Sequence, residues 1–191
     1  MKAKILKRKP KYFKSKENVV SDNLLNRDFK TDRQGKKWVT DITYLIFGKY
    51  RLYSSVILDL FNNEIVAFKI SDKNDIDLVI DTVKLAKRKR DTKNVILNSD
   101  RGFQYTSRRY NNLIKRNNMS FGMSRKGNCL DNACIESFFG HLKFELFHFK
   151  NFKNLKEVIS AVKKYINFYN NERLRLKLNN LTLIEYSNQV E

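Results

Sequence analysis

The sequence predicts a mixed α/β domain: a five-stranded sheet made of an antiparallel meander plus parallel strands, with helices on both faces. Three observations carry this expectation. Three apolar, strand-like runs follow one another across short turns between residues 37 and 70. A helical repeat then intervenes before the next apolar run, which makes that run a crossover strand. The remainder is mostly helical in period, so helices are available to cover both sides of the sheet.

The elements follow in order. Residues 37–47, 51–60 and 64–70 are the meander strands, separated by Gly48-Lys49-Tyr50 and Phe61-Asn62-Asn63. A helix over 75–89 places Ile76, Val79, Ile80, Val83 and Ala86 at helical spacing, and its basic end, residues 87–90, suits the negative end of the helix dipole. Residues 95–98 are the fourth strand, parallel to the first. Thr106 or Ser107 caps a helix to about residue 116, and 119–123 form a short fifth strand. A helix opened near Asp131 carries Glu136. A long last helix starts near Asn154 with Glu157 three residues on, a capping-box pattern. The division expected is a basic N-terminal arm over 1–35 with one short helix near 21–27, a core over 36–170, and a polar, basic C-terminal tail over 171–191. The arm is either a disordered leader or a segment that tracks phosphates.

The charge is the unusual part of the composition. Lys and Arg number 39 against 20 Asp and Glu, a net charge of +19. Such a balance points to a polyanion, and nucleic acid is the commonest one. With 41% hydrophobic residues the chain can build a core. Cys129 and Cys134 lack zinc-knuckle spacing and, with His141 and His148, complete no finger pattern, so reduced cysteines and a cytoplasmic protein are expected. No apolar run approaches a membrane span, and the first ten residues have no apolar core of a secretory signal.

Three carboxylates stand in apolar surroundings. Asp41 interrupts the first strand, Asp100 closes the fourth, and Glu136 lies on the segment Ala133 to Phe139. Unpaired, each is costly there, and a shared cation, most simply Mg²⁺, would relieve all three. A pair of Mg²⁺ ions clamps the attacking and leaving oxygens of an in-line phosphoryl displacement, and three carboxylates nearly balance their charge once phosphate is added. The alternatives are ordinary: Asp41 as a strand residue paired with Lys or Arg, and Glu136 as a surface residue of an amphipathic helix. Asn132, Glu136, Gly140 and Lys143 share one helical face, beside the apolar positions Ile135, Phe138, Leu142 and Leu146. Trp38, Phe138 and Phe139 read as core, and Asp59 as structural.

Four stretches carry a family resemblance: WVTDITY (38–44), SDRGFQYTS (99–107), SRKGNCLDNACIESFF (124–139) and YNNER (169–173). Asp100 and Glu136 are separated by 35 residues. From about residue 24 onward the chain resembles the insertion-sequence transposases whose catalytic subunit is like retroviral integrase, the D-D-35-E type. The resemblance implies a ribonuclease H-like fold and Mg²⁺-dependent DNA strand cleavage and strand transfer, with Mn²⁺ able to substitute and two ions expected. It implies Asp41, Asp100 and Glu136 as catalytic metal ligands. Lys143, with Arg125 and Lys126, would contact DNA; the last two read equally as solvated charge. Gly102, Gln104 and Tyr105 would shape the loop beside Asp100, and Asn132 would support the site. Implied partners are transposon-end and target DNA, further copies of the chain and an upstream transposase subunit. Asn98 and Arg175 stand where the family often has His, and Leu183 where Pro is usual. Full-length members carry an N-terminal helix-turn-helix region for reading element ends, so an N-terminally truncated catalytic part is expected. The competing readings are an inactive remnant that only binds DNA and a ribonuclease H-like nuclease acting on RNA hybrids.

Overall fold

The computed structural model describes residues 19–26, 28–125, 132–147 and 152–190. Strands β1 (Lys37–Phe47), β2 (Tyr50–Asp59) and β3 (Ile65–Ser71) form the meander. Helix α1 (Ile76–Lys89) crosses to β4 (Ile96–Ser99), and α2 (Arg108–Arg116) leads to β5 (Ser120–Met123). Helices α3 (Ala133–Phe147), α4 (Leu155–Asn171) and α5 (Leu183–Val190) complete the chain. The sheet order is β3-β2-β1-β4-β5, with β1–β2 and β2–β3 antiparallel and β1–β4 and β4–β5 parallel.

Period-two alternation along β1 feeds two cores. Val39 and Leu45 join Ile135, Phe138, Leu142, Val158 and Val162 of α3 and α4 on one face. Trp38 and Ile42 join Val79, Val83, Tyr110 and Ile114 of α1 and α2 on the other. Burial on both faces explains why the central strands read as nearly continuous apolar runs. Gly48 takes φ +52° in the two-residue turn between β1 and β2, a conformation that costs glycine little.

The caps at Ser107 and Asn154 are those read from the sequence; the one at Asp75 is added by the structure. The Asp75 side chain accepts from Leu78 N–H, Ser107 from Tyr110 N–H, and Asn154 from Glu157 N–H. At α4 the return bond from the Glu157 carboxylate goes to Lys153 N–H, one residue earlier than a standard capping box would place it. Asp59 is structural: it accepts from Trp38 Nε1 (2.9 Å), Gly35 N–H (2.7 Å) and Phe61 N–H (3.0 Å). Burial raises its pKa, and these bonds oppose the rise. The YNNER stretch is also structural. Asn170 Oδ1 accepts from Ile65 N–H and its Nδ2 donates to Ile65 C=O, both at 3.0 Å, so α4 is pinned to the start of β3. Arg173 pairs with Glu145 of α3, and the Arg175 guanidinium lies 4.6 Å from the Tyr169 ring centroid.

Two segments differ from expectation. No helix forms over the described residues 21–26; Ser21 Oγ donates to Phe121 C=O instead of capping, Met123 N–H bonds to Asp22 C=O, and Leu25 is buried. An edge strand offers backbone partners that outcompete a short helix without an apolar stripe. The polar segment after residue 171 contains α5, where Thr182 and Glu185 form a reciprocal capping box.

Candidate active site

The register of the parallel pair brings Asp41 and Asp100 together. Val39 pairs with Asn98, so the same register carried two residues onward sets Asp41 opposite Asp100, just beyond the end of β4. Neighbouring strands lie about 4.8 Å apart. Glu136 comes from the first turn of α3, which packs on β1. Its side chain is solvent-exposed while Ile135 and Phe138 beside it are buried.

The electrostatics show the proximity. Asp41, half-buried, has its pKa pushed up to about 7, first by burial and then by the Asp100 charge. Glu136 raises it further; the Ile42 N–H (2.7 Å) and the Lys143 ammonium act against the rise. Asp100 is also raised, by burial, against its bond from Gly102 N–H (2.9 Å). As the side chains stand, no three His, Cys, Asp or Glu among the described residues form a group able to hold a metal ion. The charges of Asp100 and Glu136 therefore reach Asp41 without the three side chains closing on one point.

The loop after Asp100 is tightly held. A Cβ on Gly102 would stand 3.0 Å from Asp100 Oδ1 and 3.1 Å from Gln104 Oε1, so only glycine fits without displacing them. Gln104 is buried and donates to Asn74 Oδ1. Tyr105 is buried, its hydroxyl 3.5 Å from Thr40 Oγ1. Thr40, next in sequence to Asp41, donates its own proton to Val56 C=O, so Tyr105 is the donor to Thr40. Burial and the Asp41 charge hold the Tyr105 pKa far above that of a free phenol. Asn132 is buried one helical turn before Glu136. Lys143 is exposed on α3, and Arg125 is exposed after β5. Lys126 lies outside the described residues. Asn74 and Thr40 are supports that the sequence reading missed. Asn74, in a polar turn, gave no signal; Thr40 lay within the matched WVTDITY stretch.

Residues 31–129 match the Integrase core domain family model. The chain belongs to this family. A second Integrase core domain model covers 136–190 of the integrase core. The putative transposase InsK for insertion sequence element IS150 of Escherichia coli K12 is 42% identical over 190 residues, spanning 99% of this integrase core and 67% of InsK. Among solved structures, the simian T-cell lymphotropic virus intasome in complex with PP2A regulatory subunit B56 gamma superposes with a TM-score of 0.73 at 14% identity, covering 91% of this chain and 60% of that one. The HTLV-2 integrase catalytic core domain in complex with magnesium gives 0.64 at 16% identity, covering 81% and 97%. The fold is thus that of retroviral integrase cores, ribonuclease H-like.

Proposed function

We propose that this integrase core cleaves DNA strands at the ends of an insertion sequence and transfers them to target DNA, with Asp41, Asp100 and Glu136 as its catalytic carboxylates. The observation that supports this best is the shared field at Asp41, where the charges of Asp100, Glu136 and Lys143 all act on one half-buried side chain. The donor set fits a hard cation: three carboxylates, one of them strongly raised and so in need of neutralisation. Bound there, two divalent ions, Mg²⁺ or in its place Mn²⁺, would supply Lewis-acid stabilisation of the charge that builds at phosphorus.

The chain's residues do the rest. Asp41 on β1 and Asp100 just beyond the end of β4 give the site its fixed wall, and Glu136 closes it from α3. Water attacks the phosphodiester at the element's end; its oxygen–phosphorus bond forms as the bond to the 3′ oxygen breaks, the water gives up a proton to solvent, and the leaving 3′ oxygen takes one up. The freed 3′-hydroxyl then attacks a target phosphodiester in the same way, releasing a target 3′-hydroxyl. No covalent enzyme intermediate is needed. Lys143, with Arg125 and Lys126, would hold phosphates beside this centre, and Gln104, Tyr105 and Asn132 would brace it. The N-terminal arm, the core over 36–170 and the tail belong to the same proposal. So do cooperation between copies on DNA, an upstream subunit and a cytoplasmic location; no helix among the described residues is long and apolar enough to cross a membrane.

A second reading, a DNA-binding remnant without catalysis, draws support from the described side chains, no three of which form a ready metal-holding group. One experiment separates the two. Wild type with Mg²⁺ or Mn²⁺ is expected to nick or join element-end DNA, and Asp100→Asn to bind DNA equally but cut nothing. Binding should fall steeply with salt as phosphate contacts release counterions. Salt-sensitive binding with no cleavage in either metal would establish the remnant. Gly102→Ala refines the picture. Its folding stability is expected to change by less than about 1 kcal/mol, while cleavage falls by about tenfold or more as Asp100 is displaced. Thermal melts beside single-turnover rates check this.

A further inference from the structure

We propose that Ser124 is a positioning residue that sets the separation of Asp100 and Glu136; the proposal rests on the catalytic reading above. Ser124 follows β5 directly and touches both sides of the site. Its N–H donates to Ser99 C=O (2.8 Å), and its C=O accepts from Arg101 Nε (3.0 Å). Its hydroxyl accepts from Asn98 Nδ2 (3.2 Å) and donates to Asn132 Oδ1 (3.4 Å). Asn98 lies two residues before Asp100, and Asn132 one helical turn before Glu136. A hydroxyl carries one proton, so accepting from one amide and donating to the other gives the chain a single direction. That chain ties the end of β4 to the start of α3.

The surroundings leave it little choice. Asn98, Ser99, Ser124 and Asn132 are all buried. Asn98 Oδ1 has no hydrogen-bond partner, and a Cβ on Gly122 would come within 2.8 Å of it. Leu24 closes over the same glycine, its backbone nitrogen 3.2 Å from that position. The Asn98 amide is therefore wedged, with its bonded end on Ser124. Both hydroxyl bonds are longer than the usual distance of about 2.8–3.0 Å. The chain therefore has slack to hold if the start of α3 stands a few tenths of an ångström nearer the end of β4. A group that orients ligands in this way acts on metal affinity rather than on DNA affinity.

The test uses the full chain and reads metal binding without turnover: the Mn²⁺ concentration that half-saturates the rise in melting temperature, and calorimetric titration with Mn²⁺. Ser124→Ala is expected to weaken Mn²⁺ binding about tenfold, with DNA affinity unchanged, and Ser124→Thr to restore it. Asn132→Ala should give a similar loss, and the double variant no more than either alone. Unchanged metal affinity in Ser124→Ala with a lowered metal-free melting temperature would overturn the proposal, leaving a packing role. If Ser124→Ala fails to fold, Asn132→Ala decides by the same readout. Wild type that neither binds Mn²⁺ nor cleaves would refute the catalytic reading; wild type that does both while the variants bind normally refutes only this inference.

Discussion

Asp41→Asn is expected to stabilise the metal-free protein at neutral pH and to end strand cleavage. Burial, with the Asp100 and Glu136 charges, lifts the Asp41 pKa from 3.8 to about 7. A raised carboxylate keeps its proton in the folded state at pH values where the unfolded chain has lost it. The stability that Asp41 contributes is therefore greatest below about pH 4, falls as pH rises through the window to about 7, and is flat above it. The full interval corresponds to at most about 4 kcal/mol. The amide avoids that cost but gives up the charge-assisted bond from Ile42 N–H, so a net gain of about 2–3 kcal/mol is expected at pH 7.5. Urea melts in chelator across pH 4–8 check it: wild type should lose stability as pH rises, and Asp41→Asn should be flatter. A variant less stable than wild type at pH 7.5 would mean that the carboxylate is not strained where it stands. The same substitution removes one ligand charge, so cleavage should be lost while the fold improves, a separation of stability from activity.

Arg90→Ala should be the most damaging substitution far from the carboxylates. Arg90 Nη2 pairs with Glu64 (2.8 Å), a buried residue, and its Nη1 donates to Gln34 Oε1. Gln34 in turn donates to Glu64 and to Ser187 of α5, and Asn62 donates to Ser187 (2.6 Å) and to Leu183 C=O (2.9 Å). Removing Arg90 leaves Glu64 with Gln34 as its remaining side-chain donor. Breaking a buried pair costs about 3–5 kcal/mol; because Arg90 is about one-third exposed, about 2–3 kcal/mol is expected. That corresponds to a melting temperature lower by about 5–10 °C. Hydrogen exchange should show α5 opening first. Replacing both partners together, Glu64→Leu with Arg90→Met, should recover much of the loss, because no charge is then left buried alone.

The strands, the crossover helix and two caps were legible because they depend on local signals: alternation, a 3.6-residue repeat, and Ser107 and Asn154 placed before apolar stripes. The docking of residues 19–25 was not, because Asp22 contributes a backbone carbonyl, which leaves no mark in side-chain identity. Helix α5 was missed although Thr182 and Glu185 spell a capping box; eight residues with two buried positions give too short a stripe to read. Asp41 and Asp100 could be placed at strand positions, and the parallel register then aligned them. The reach of Glu136 and the bridge through Ser124 depend on tertiary packing of α3, which no spacing encodes.

The chain touches both edges of its own sheet: Asn170 occupies the backbone groups of Ile65 at the start of β3, and Asp22 takes the N–H of Met123 at the end of β5. A further strand approaching the sheet would therefore meet, at one end of each edge, a residue whose backbone groups are already taken.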